Sequence, residues 1–156
     1  MSEIKRIKSQ LRRAFEGEAW HGPSVMELLK DVTAEQAAAH PIEGAHSIWE
    51  LALHIATWER FVRRRIAETA ALDPTDEENF PAVQYTSEEA WRAAVEEIKL
   101  AHAALLETVA GLEEAALAEI VPGKPYSVYF MLHGVIQHDL YHAGQIALLK
   151  KAVVSG

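Results

Sequence analysis

Cysteine is absent from the 156-residue chain. That absence removes disulfides, thiolate metal ligands, iron–sulfur clusters and a cysteine nucleophile together. A metal held here needs nitrogen and oxygen donors, and thiol chemistry needs a thiol carried in by a cosubstrate. Long apolar runs are missing as well: no stretch approaches the ~18 consecutive apolar residues of a membrane span. The segment from Met1 to Arg13 carries charges throughout, unlike a signal peptide. Both features lead to the expectation of a cytoplasmic protein with no membrane partner. Cations are in the minority, with 15 Lys and Arg against 23 Asp and Glu and a net charge of −8. That balance disfavours a nucleic-acid partner, because phosphate binding needs clustered positive charge. The runs Arg63–Arg65 and Lys150–Lys151 stand near the ends of long helical segments, where cations meet the favourable end of the helix dipole. They read as solvated helix ends.

What is present points to helix. Apolar residues make up 49% of the chain and charged residues 24%, which excludes disorder and suits one domain spanning residues 1–156. Alanine, leucine, glutamate, lysine and arginine dominate, all of which lose little entropy in a helix. Alternation of apolar and polar β-branched residues is nearly missing.

Four long helical segments follow from periodicity and end signals. The first runs from about Ser2 to Phe15, with Ile4, Ile7, Leu11 and Phe15 on one face. After Gly17 and the Trp20–Pro23 loop, Ser24 with Glu27 and Thr33 with Gln36 form capping-box patterns for short helical turns, the second stopped by His40-Pro41. The second long helix is expected from Ser47, capped with Glu50, to about Leu72. The acidic stretch Asp73–Tyr85 reads as a loop. Thr86 and Glu89 open the third helix, which ends near Gly111, and the fourth runs from about Ser127 to Ala152. Four helices of about 24 residues, each roughly 36 Å long, suit an all-α four-helix bundle with long interhelical loops.

Eight histidines sort by helical face. In the fourth segment Val128, Met131, Val135, His138, His142, Gln145 and Leu149 form an inward stripe. Residues at i and i+4 stack on one side of a helix, so His138 and His142 can point at one ion. Leu51, His54, Trp58 and Phe61 form a similar stripe, placing His54 inside. A single interior histidine is more often a hydrogen-bonded core residue. Three unpaired rings would cost about 1–3 kcal/mol each, and one ion would satisfy all three. His102 falls on the apolar side of the third helix and reads as a core or boundary residue. His21 reads as loop packing or the rim of a pocket, His40 and His46 as local packing or exposed, and His133 as off the interior stripe.

The segments SIWELALH (Ser47–His54) and QHDLYHAGQ (Gln137–Gln145), with the Trp20–Ser24 loop and the helix spacing, resemble the DinB superfamily, also described as DinB/YfiT-like metalloenzymes of four-helix-bundle fold. The resemblance implies a divalent ion, often zinc or nickel, on His54, His138 and His142. It also implies, from relatives that are thiol-dependent S-transferases or isomerases, a metal-dependent transferase using a bacterial low-molecular-weight thiol such as bacillithiol or mycothiol. Homodimers are common among similar proteins.

Three neutral imidazoles leave coordination positions open, as in catalytic rather than closed structural sites. Metal-dependent hydrolysis by activated water is therefore the second reading, and a non-catalytic metal-binding or stress-response protein the third. Asp139 and Gln145 are the candidate catalytic residues. His138-Asp139-Leu140-Tyr141-His142 departs from the HExxH of zinc peptidases, whose longer Glu is needed to reach the metal-bound water. Asp139 also lies about 100° off the ligand stripe, where it would either orient a ligand ring or stand as a solvated charge. Gln145 shares the ligand face and is placed to contact substrate or metal-bound water. Tyr141 and Glu50 are weaker candidates, and Trp58 is expected to wall a pocket.

Overall fold

The helix signals translate into seven α-helices in the computed structural model, which describes residues 1–155. They are α1 (Glu3–Phe15), α2 (Val25–Leu29), α3 (Ala34–Ala38), α4 (Ile48–Glu68), α5 (Asp76–Asn79), α6 (Glu88–Ala110) and α7 (Val128–Ser155), with a 3-10 turn at Glu114–Ala118. No strand occurs among the described residues. None of these helices is long and apolar enough to cross a membrane.

Capping explains most of the starts. Ser24 with Glu27, Thr33 with Gln36, and Ser47 with Glu50 form reciprocal capping boxes, each satisfying two orphan backbone donors. Thr75 with Glu78 forms a fourth, which turns part of the expected Asp73–Tyr85 loop into α5. In α6 the cap is Ser87, accepting from the Ala90 backbone N–H, one residue beyond the expected Thr86. The expectation of four helices near 24 residues also needs correction, since α1, α4, α6 and α7 have 13, 21, 23 and 28 residues. Helix α4 stops at Glu68 rather than Leu72, where Thr69 adopts a left-handed conformation with φ 47°. Arg65 then holds the returning chain, with Nε donating to the Leu72 carbonyl at 2.7 Å and Nη2 to Asp73 at 2.6 Å. Arg65 is buried, so the Arg63–Arg65 run is not simply a solvated helix end. Lys150 likewise reaches back to the Leu28 carbonyl.

Helix α4 packs against α6 and α7, and α1 packs against the same two. Two apolar cores give the helix directions. One gathers Phe15, α2, α3, Ile48–Ala56, Trp91–Ala101 and Ala143–Leu149. The other gathers Ile4–Ala14, Val62, Leu105, Val109, Leu117 and Val128–Ile136. Helices α4 and α6 both run from the first core to the second, while α1 and α7 run the opposite way. Two parallel neighbours need a connection that travels the length of the bundle, and the segment carrying α5 is that connection. At its start, Pro122-Gly123 turns the chain beside it. Gly123 has φ +71°, and a Cβ there would lie 2.8 Å from Ala71 Cβ, so only glycine fits without a shift.

Candidate metal centre

Between the two apolar cores lies a layer of polar side chains. On its α4–α7 side stand His54, His138 and His142, each offering a ring nitrogen within 4.8 Å of the others. His54 and His142 are buried and His138 half-buried. The Nε2 atoms of His54 and His138 face one another at 3.0 Å.

The hydrogen-bond partners fix the tautomers. Asn79, at the end of α5, offers its backbone carbonyl to His54 Nδ1–H at 2.7 Å. Gln145 Oε1 accepts from His142 Nδ1–H at 2.6 Å. The Asn79 carbonyl can only accept, and Gln145 turns its Oε1 to the ring, so both rings present an unprotonated Nε2. Orientation of a ligand ring through its other nitrogen is the usual support of a histidine metal site. Gln145 thus acts on His142 rather than standing free in a pocket. Phe80 stacks on His54 with centroids 4.0 Å apart, and its other face carries His46 at 3.8 Å.

Burial lowers the basicity of all three rings, and His138 is brought down to about 3 by desolvation and by its two histidine neighbours. Neutral imidazole is the form that binds a metal. Two nitrogens on a tetrahedral Zn at ~2.0–2.1 Å stand roughly 3.3 Å apart, inside the span these rings cover. The donor set fits a divalent cation on His54, His138 and His142.

The sealed half of the polar layer was less legible. Asp139 is fully buried, which overturns its reading as a solvated charge. Its Oδ1 lies 3.6 Å from His138 Nδ1, on the side of that ring away from His54. Behind it stands Glu59 at 0% exposure, whose Oε1 accepts from His102 Nδ1–H at 2.8 Å. His102 stacks on Phe15 and lies away from the three-histidine cluster, as a core residue. Desolvation pushes both carboxyls up, Glu59 to about 8, and Glu59 raises Asp139 further, while desolvation takes His102 down to about 4. Glu59 escaped the sequence reading, although Ala52, Ile55, Glu59 and Val62 form a second helical stripe on α4. A carboxylate within an apolar stripe was the available signal.

The other histidines fall outside the site. His21 is exposed and lines a groove with Trp20, Ile136 and Leu140 on another side of α7. His40 and His46 flank Glu50 at 3.2 and 3.4 Å, and Glu50 keeps its capping role. His133 meets the Tyr129 ring at a tilt, with centroids 4.4 Å apart. Tyr141 is exposed and meets His142 edge-on.

A groove of about 240 Å³ runs from His138 between α4 and α7, lined by Trp58, Val62, Arg65, Tyr126, Phe130, Met131, Gly134 and Val135. Trp58 walls it as expected, and its indole N–H is held by Asn79 Oδ1 at 2.9 Å. No carboxylate lines this groove.

A crystal structure of a conserved protein from Enterococcus faecalis matches with a TM-score of 0.72 and 19% identity, over 100% of this chain and 99% of that one. At that identity the likeness is one of fold. No curated protein matches the chain. The sequence profile of the DinB superfamily matches residues 20–146, a span holding all three histidines, the crossover that supports His54 and the groove beside His138. The chain belongs to the DinB superfamily.

Proposed function

We propose that the protein is a metal-dependent transferase that acts with a low-molecular-weight thiol cosubstrate, the ion being zinc or nickel. The observation that carries this reading is the pairing of three clustered imidazoles with an apolar groove that contains no carboxylate. A divalent cation on these nitrogens supplies a Lewis acid that favours the thiolate form of a bound thiol at neutral pH.

The chain's own residues do the rest by positioning. Asn79 and Gln145 hold His54 and His142 with Nε2 facing inward. Trp58, Val62, Met131 and Val135 give the His138 side an apolar wall. Arg65 packs beneath the Trp58 ring, its guanidinium 5.5 Å from the ring centroid, and holds that wall of the groove in place through its bonds to Leu72, Tyr126 and Asp73. Hydrolysis would call for a base to take a proton from water. The nearest carboxylates of the polar layer, Asp139 and Glu59, are sealed behind His138. That arrangement favours a thiol over water as nucleophile, because a thiol is the stronger acid and gives up its proton on binding a cation without a nearby base.

Calorimetric titration of the zinc- or nickel-loaded protein with bacillithiol, mycothiol and glutathione tests this. Thiol binding that vanishes on metal removal is the expected result. Turnover of simple esters or amides without any thiol would replace transfer with hydrolysis.

A further inference from the structure

Gly134 lies inside the 28-residue helix α7, where glycine weakens a helix relative to alanine. Nothing in the chain's own packing calls for it. A Cβ built on Gly134 meets no atom within 4 Å, and its φ is not among the positive values that need glycine. What lies in front of it is the groove, one helical turn from His138.

The groove's chemistry narrows its occupant. Its walls are Trp58 and Val62 on one side and Met131 and Val135 on the other, with Phe130 and Tyr126 also lining it. Arg65, the one charged lining residue, already donates to Leu72, Tyr126 and Asp73. Little polar recognition is left, so the occupant is held by apolar contact. At about 240 Å³ the space is below the ~300–1,000 Å³ of drug-sized pockets, which suits a short alkyl or aryl chain.

We propose that Gly134 is a specificity-determining residue, keeping this groove open for the apolar chain of a small-molecule substrate whose reacting end lies at the three histidines. The position of the reacting end rests on the metal-centre reading; the groove and its occupant do not.

Two arms separate these parts. In the first, ethanethiol and 1-hexanethiol are titrated into zinc-loaded protein by calorimetry. Wild type should bind the longer thiol at least tenfold more tightly, since each buried methylene adds affinity. Gly134→Leu should remove most of that difference, and Gly134→Ala part of it while raising Tm. In the second, 1-hexanol is added to metal-free protein and the Met131 methyl resonance is followed. It should shift in wild type and stay still in Gly134→Leu. A shift without any zinc binding would keep the groove assignment and defeat the metal centre. Equal affinity for the two thiols in wild type, a length preference that survives both substitutions, or no Met131 shift would overturn the proposal. A change of oligomeric state in Gly134→Ala by sedimentation would overturn it too, by giving the glycine to a subunit contact.

Discussion

His54, His138 and His142 are kept neutral by burial, and the first and last are aimed by acceptors on their Nδ1–H, the Asn79 carbonyl and Gln145 Oε1. Replacing any one by alanine leaves two donors for the ion. Metal content measured by elemental analysis should fall to a small fraction of wild type for His138→Ala and His142→Ala, with helical circular dichroism retained. Undiminished metal in both would refute the ligand set. Glu59 offers a second test at this scale. Its carboxyl is held up by burial, so folding favours the protonated form. The stability associated with that proton is fully present below the ordinary value of 4.5 and is lost as pH climbs toward about 8. Glu59→Gln cannot ionise and keeps the acceptor for His102. Relative to wild type it should gain on the order of 1–3 kcal/mol between pH 5 and 9, read from urea midpoints. A gap that stays flat with pH would show that Glu59 does not carry the proton.

At the scale of elements, the ligand stripes were legible because helical spacing alone put His138 over His142 and placed His54 inward. The remainder was hidden by a property of the bundle. Helices α4 and α7 each touch more than one neighbour, so each buries two stripes rather than one. Leu132, Ile136, Asp139, Ala143 and Ile146 form the second on α7, and a search for a single stripe leaves Asp139 outside. Helix α5 was missed for another reason: its capping box, Thr75 to Glu78, lies in an acidic segment without an apolar face, and none of its residues is buried. Its importance comes from the parallel course of α4 and α6, a long-range property. The crossover carries Phe80 onto His54 and offers the Asn79 carbonyl to the same ring. Phe80→Ala should therefore loosen His54 without touching a donor atom. Metal affinity from chelator competition should drop about 10-fold, within the range seen for supporting residues, while α4 stays folded. Unchanged affinity would mean that the crossover does not position the site.

For the molecule as a whole, the polar layer couples the site to stability. Residues of α1, α4, α6 and α7 meet there between two apolar cores, so a cation at the three histidines joins α4 to α7 at mid-height. Desolvation lowers His54, His102, His138 and His142 below their ordinary 6.5. An unfolded chain takes up protons at these rings before the folded one does. The stability tied to their neutrality is complete above about pH 6.5 and is lost as pH falls toward the folded values. These rings therefore pull the Tm of the metal-free protein down between about pH 6.5 and 4, against the opposite pull of the raised Glu59 and Asp139 carboxyls. A bound ion adds to the upper end of this slope, since it binds only unprotonated rings, and contributes about 2.7 kcal/mol when free metal is a hundred times Kd. Scanning calorimetry with and without zinc should show a metal-dependent rise in Tm at pH 7 that shrinks in acid. In His138→Ala the rise should vanish at every pH while much of the acid slope remains, because His54, His102 and His142 still titrate. A zinc-induced rise of equal size in wild type and His138→Ala would place the stabilising ion elsewhere on the protein.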